Sequence, residues 1–169
     1  MRAAIIFDRD GTLNLDRGFT HLPQDLVFTP GAPEAIAALN RRGVLALVAT
    51  NQSGVARGLY DENAVERFHA HMQSELAKHG AHIDAFYFCP FHEDAAIAAY
   101  RVASHPDRKP NPGMLLRAMK EWEIDPTQAL MVGDEERDMA AARAAGIACI
   151  RYEGGDLAAL VEAHTKAWK

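Results

Sequence analysis

Cysteine is scarce in this chain: only Cys89 and Cys149 occur in 169 residues, far apart in sequence. A disulfide framework is therefore excluded as the source of stability, and two free thiols in a cytoplasmic protein are expected. An excess of basic residues is also missing. Lys and Arg number 18 against 23 Asp and Glu, a net charge of -5 with a pI near 5.9. That balance argues against a nucleic-acid or membrane surface, both of which favour a basic patch. No apolar run approaches the roughly 18 residues that span a bilayer. The first seven residues lead straight into an acidic motif, too short an apolar stretch for a signal peptide and without a cleavage site. Repeats and low-complexity segments are absent as well. What remains is an ordinary globular composition, 49% hydrophobic and 24% charged, of a length that suits one domain over residues 1–169. A monomer is expected at this size.

Short apolar runs alternate with helical patterns. Runs at 3–7, 44–49, 85–88, 129–132 and 147–150 lack polar alternation and read as strands buried on both faces. Helices are predicted over 33–42, 62–79, 113–122, 135–145 and 156–168. Gly43, Gly80 and Gly146 close three of them, and Asn111-Pro112 supplies an N-cap and a first-position proline to a fourth. The rhythm implies an α/β fold: a doubly wound, mostly parallel sheet with helices on both faces. Two connections, 11–29 and 89–111, are long and irregular. Both follow predicted strands, so they lie at the carboxyl edge of the sheet, where open α/β sheets bind ligands.

Four small motifs occupy the predicted strand ends. Asp8-Arg9-Asp10-Gly11-Thr12 places two carboxylates at i and i+2, a costly like-charge arrangement that a divalent cation would offset. Hard oxygen ligands suit magnesium. Thr50-Asn51-Gln52-Ser53-Gly54 offers a hydroxyl and backbone N–H groups as a phosphate nest. Arg108-Lys109-Pro110 puts two cations before a helix N-terminus. Gly133-Asp134-Glu135-Glu136-Arg137-Asp138 is an acidic cluster opening a helix. Each alone has a plainer reading: a solvated loop, a polar turn, a surface cation pair, a helix cap. Together they are the acids, hydroxyl and cation that phosphoryl transfer uses.

The set resembles the haloacid dehalogenase superfamily of phosphohydrolases, with all four motifs in order and nearly the whole chain involved. The wording of the first three motifs is similar to that of the histidinol-phosphate and heptose-bisphosphate phosphatase group, a Rossmann-type core without a large cap domain. The resemblance implies an aspartyl-phosphate mechanism. Asp8 is the nucleophile, Asp10 the general acid and then base, and Thr50 and Lys109 hold the phosphoryl group. Magnesium is held by Asp8, the Asp10 backbone carbonyl and Asp134, with Asp138 supporting the metal from behind or fixing Lys109. The phosphorylated metabolite is held by Arg108, by Asn51, Gln52 and Ser53, and by a pocket wall of Asp16, Arg17, Gly18 and Phe19.

Two departures from that group stand out. Its members often carry a structural zinc in the loop before Arg-Lys-Pro, and here Cys89, His92, His105 and Asp107 stand at or near those positions. They are a chemically competent zinc set. The other reading is a loop held by packing of Phe91, Tyr100 and Pro106. Glu135 replaces a Lys that often follows the metal aspartate. It either disfavours a doubly phosphorylated substrate or points to solvent. The functions in view are a D-glycero-D-manno-heptose 1,7-bisphosphate 7-phosphatase, a histidinol-phosphate phosphatase, or a catalytically weak binding or regulatory module on the same fold. A polynucleotide 3′-phosphatase shares the first motif but conflicts with the acidic pI.

Overall fold

A computed structural model describes residues 1–168. Five parallel strands form its sheet: β1 (Arg2–Phe7), β2 (Leu45–Asn51), β3 (Ala85–Cys89), β4 (Ile124–Gly133) and β5 (Ala148–Arg151), in the order β3-β2-β1-β4-β5. Successive strand residues point to opposite faces, and both faces are buried. Ile5, Phe7, Ala46, Val48, Leu130 and Val132 pack against α1 (Ala32–Arg41), α2 (Glu62–Ala77) and α5 (Leu157–Thr165). Ala4, Ile6, Leu45, Leu47 and Met131 pack against α3 (Gly113–Glu121) and α4 (Glu136–Ala145). The near-continuous apolar runs of β1, β2 and the end of β4 follow from this two-sided burial, whereas the edge strand β5, expected to be buried on both faces, has only exposed or half-buried residues.

The order of the strands positions the site. From β1 the chain moves outward through β2 to β3, then returns across the sheet to β4 and continues outward to β5. The direction reverses between β1 and β4, and the crevice above such a switch point is where doubly wound sheets bind ligands. Among the described residues, the connections from β1 to α1 and from β3 to α3 carry only one short 3-10 turn each, Pro23–Asp25 and Ala98–Tyr100. Neither builds a cap domain.

Two local expectations are corrected. Strand β4 begins at Ile124, five residues before the apolar run that signals it, with Ile124 beside Arg2 and a register shift between Arg2 and Ala4. Asp125 Oδ1 accepts from the Thr127 N–H and hydroxyl, and the chain there stays extended. Helix α3 starts at Gly113 with Pro112 at the N-cap and no side-chain cap. Asn111 instead donates to Ser104 Oγ and the His105 carbonyl, tying down the preceding loop.

Candidate active site

Asp8 and Asp134 follow neighbouring strands, so the topology sets them side by side. The Asp8 N–H continues the ladder, donating to the Val132 carbonyl at 2.9 Å. Gly11 lets the Asp134 carboxylate approach. Its φ of +83° lies in the left-handed region, and a Cβ there would run into Asp134 Oδ2. Thr12 Oγ1 donates to the other oxygen of Asp134 at 3.2 Å.

Lys109 enters from the loop before α3 and is 2% exposed. Its Nζ donates to Asp8 Oδ1 at 2.9 Å, Asp138 Oδ1 at 2.6 Å and the Ala49 carbonyl at 2.8 Å. These three acceptors match the three hydrogens of an ammonium. Asn51 fixes the Lys109 backbone at two points, its Nδ2 donating to the carbonyl and its Oδ1 accepting from the N–H, each at 3.0 Å. Asp138 is fully buried at the start of α4, and its second oxygen accepts from the Glu135 N–H at 3.0 Å. Burial alone would pull the Lys109 pKa down, but the charges of Asp8 and Asp138 outweigh it and the net shift is upward.

Carboxylates still outnumber cations here. Asp8, Asp134 and Asp138 bring oxygens within 4.8 Å of one another, with Lys109 among them. Burial pushes the Asp8 carboxyl up to about 7, Lys109 opposing and Asp138 adding. Burial also raises Asp134. A carboxylate cluster whose ionisation is penalised in this way fits a divalent cation with oxygen ligands. Each oxygen of Asp138 already accepts a hydrogen bond, whereas Asp8 and Asp134 each accept at only one oxygen and keep the other for a cation.

Asp10 is held by a different set of donors. Arg9 Nε and Nη2 reach Asp10 Oδ1 at 3.1 and 3.0 Å, and Asn14 Nδ2 joins them at 3.0 Å. Gln52 Nε2 reaches Oδ2 at 3.0 Å and also bonds Thr50 Oγ1 at 2.9 Å. Tyr60 holds Gln52 in turn, donating from its hydroxyl to Oε1 at 2.7 Å. Gly54 makes room for that ring, since a Cβ there would collide with it.

A pocket of about 330 Å³ opens over these groups. Asp8, Asp10, Thr50 and Lys109 line its floor, with Asn51, Gln52 and Ser53 beside them. Asp16, Gly18, Phe19 and Arg108, substrate contacts in the family resemblance, also line it. Arg17 is the exception: it does not line the pocket, and its N–H donates to Thr20 Oγ1. Glu135 neither faces bulk solvent alone nor stands as an uncompensated charge. It lines the pocket and pairs with Arg137 at 2.7 Å. Arg57, Tyr60 and Arg137 also line the pocket and were not anticipated. Arg57 and Tyr60 fall in or just after a loop with a visible motif, but nothing in one-dimensional order turns them inward. A roomier groove of about 490 Å³ lies on the other side of Tyr60, and it contains none of the four motif residues that line the floor.

The four candidate zinc donors are not gathered. Cys89 Sγ lies 4.0 Å from His105 Nδ1, and no third donor joins them among the described residues. His105 Nδ1 accepts from the Asp107 N–H at 3.0 Å, while its ring stacks on Phe91 at 4.1 Å. Asp107 pairs with Arg117 at 2.7 Å. His92 Nδ1 accepts from the Asp94 N–H. Phe91 also packs on Tyr100, so this loop is held by ring contacts and local hydrogen bonds.

Comparison with known proteins agrees with this geometry. A family model described as haloacid dehalogenase-like hydrolase matches residues 16–146. A D-glycero-β-D-manno-heptose-1,7-bisphosphate 7-phosphatase of Rhodopseudomonas palustris is 42% identical over 95% of this chain and 89% of its own length. A D-glycero-α-D-manno-heptose-1,7-bisphosphate 7-phosphatase of Burkholderia mallei is 41% identical over 85% of this chain and 76% of its own. Among solved structures, the D,D-heptose 1,7-bisphosphate phosphatase from B. bronchiseptica, complexed with magnesium and phosphate, superposes with a TM-score of 0.79. It is 35% identical, over 96% of this chain and 86% of that one.

Proposed function

The chain belongs to the haloacid dehalogenase-like hydrolases, and from that footing we propose that it is a magnesium-dependent phosphatase removing the 7-phosphate of D-glycero-D-manno-heptose 1,7-bisphosphate. The observation that carries the chemistry is the contact of Lys109 with Asp8 beside Asp134, at the switch point of the sheet. The substrate rests on relatives at 41–42% identity named for that reaction.

Asp8 attacks phosphorus in line, forming a P–O bond to its carboxylate as the bond to the sugar oxygen breaks. Asp10 gives its proton to the departing alkoxide, then takes one from the water that cleaves the aspartyl-phosphate. Thr50 and Lys109 hold the phosphoryl oxygens and offset their charge in the transition state, Lys109 turning toward them the hydrogen it gives to Asp8 Oδ1 in the free site. Lys109 is fixed for this by Asp138 and by the Asn51 clamp on its backbone. Asp8, Asp134 and the Asp10 backbone carbonyl would hold magnesium, whose charge offsets the repulsion between the Asp8 carboxylate and an anionic substrate. Arg57 and Arg108, beside an Arg137 that is paired with Glu135, give the pocket wall a positive side suited to a second anionic group. Burial lowers the Arg108 pKa, with Arg137 and Arg57 adding to it, as expected of guanidinium groups crowded on one side of a pocket.

The test is phosphate release from both anomers of the heptose bisphosphate, histidinol phosphate and common sugar phosphates, with magnesium and with EDTA. The expected result is magnesium-dependent release with kcat/KM at least ~10-fold higher for one heptose anomer than for histidinol phosphate, a preference of about 1.4 kcal/mol or more. Equal or better turnover of histidinol phosphate would overturn the substrate assignment.

A further inference from the structure

We propose that Arg9, held from behind by His69, is the positioning residue for Asp10, fixing its carboxyl group for proton transfer to the leaving oxygen. This rests on the reading that Asp10 is the general acid. Arg9 occupies the middle of the Asp-x-Asp motif, where a spacer would suffice if only the two acids mattered. It is instead fully buried and leads the large side chains of the interior. Desolvating a guanidinium is costly, and a buried ion pair is no better for stability than a well-packed apolar set of the same shape. Its retention asks for another explanation, and its bonds supply one.

Every arm of the guanidinium is engaged. Nε and Nη2 fix Asp10, Nη2 also donates to the Thr20 carbonyl at 2.6 Å, and Nη1 lies 3.2 Å from His69 Nε2. The guanidinium lies over the Phe68 ring at 4.3 Å. His69 comes from α2, sixty residues away, is 6% exposed and stacks on Phe86 at 4.3 Å. Burial, with the Arg9 charge beside it, pushes the His69 pKa down to about 3. The ring is therefore neutral and its Nε2 accepts from Arg9. Helix α2 thus braces the guanidinium from one side while Asp10 takes the other. A misplacement of about 1 Å in a catalytic group can cost ~100-fold, so a rigid holder for the acid has a kinetic consequence.

General acid catalysis matters for a poor leaving group and little for a good one, which separates positioning from general damage to the fold. The experiment compares kcat/KM of the magnesium-loaded protein for the heptose bisphosphate, with an alkoxide leaving group, and for p-nitrophenyl phosphate, with a stabilised phenolate. If the wild-type chain prefers another alkyl phosphate, that compound takes the heptose's place. His69→Phe keeps a ring against Phe86 but removes the acceptor. It should lower the sugar-phosphate value roughly 10-fold and the aryl value less than ~3-fold, a fraction of the ~10²–10⁴ that general acid catalysis supplies. Arg9→Met should show the same split at about 100-fold, and His69→Gln, which restores an acceptor, should recover most of the loss. Should Arg9→Met fail to fold, the two His69 variants decide. Equal losses for both substrates, or no loss for either, overturn the proposal. Asp10→Asn is measured alongside. If it discriminates between the substrates and the Arg9 and His69 variants do not, only the positioning role fails. If Asp10→Asn itself does not discriminate, the assignment of Asp10 as the acid fails first.

Discussion

Two regions of this molecule carry metal-like side chains, and they behave in opposite ways. At the β1–β4 switch point, Asp8, Lys109, Asp134 and Asp138 come from three distant stretches of chain; Lys109 bonds Asp8 and Asp138, and oxygens of the three carboxylates lie within 4.8 Å of one another. In the loop after β3, Cys89, His92, His105 and Asp107 come from one stretch, and each side chain is occupied locally. Strand ends and a helix start are rigid, and they bring charges together at a cost in burial that a bound cation offsets. The loop's donors instead bond neighbouring N–H groups and an arginine, with the His105 ring stacked on Phe91. Residue type suggests a metal in both places; only the rigid scaffold enforces convergence.

The sharpest break of the comparison is at its catalytic side. Asp8→Asn should lower kcat by at least ~10⁴-fold, as loss of a nucleophile does in other enzymes, with circular dichroism unchanged. Lys109→Met should lower kcat/KM by about 10³-fold. The same variant strands the buried Asp138 carboxylate, so chemical denaturation should show a loss of roughly 3–5 kcal/mol.

A gentler probe is pH. The Asp8 pKa in the folded state lies near 7, above its ordinary value of 3.8. Between those values the native state keeps a proton that the unfolded chain releases, so metal-free stability should fall as pH rises across that window. Magnesium favours the ionised form. It should therefore raise Tm more at pH 7.5 than at pH 5 in a thermal-shift assay, whereas an equal shift at both would detach the metal from Asp8. The smallest effect belongs to the loop. His92→Ala should change stability by less than ~0.5 kcal/mol, as for an ordinary surface position, and leave kcat unaltered. A loss several times larger that zinc chelators reproduce would give the loop a metal after all.

Most of the fold was legible because both-face burial makes β1, β2 and the second half of β4 continuous apolar runs, and the acids that follow β1 and β4 mark the switch point. Less legible were contacts that depend on facing. Arg9 reads as a spacer between two acids, and only the approach of α2 shows why it is an arginine. Arg137 sits in a charge run that looks like helix capping, yet it pairs with Glu135 over the pocket. Asn111 has the sequence of an N-cap but spends its amide on the preceding loop, at the Ser104 hydroxyl and the His105 carbonyl. In each case a polar group chose among several local partners, and the choice was made by packing that one-dimensional order does not contain.

The central claim, that the phosphoryl group passes through Asp8, is tested most directly by acid-quenching the protein during turnover and mapping the phosphorylated peptide by mass spectrometry. The account predicts one phosphoryl group on the peptide bearing Asp8, appearing with substrate and disappearing as substrate is exhausted. A phosphoryl group on any other peptide, following the same time course, would contradict it.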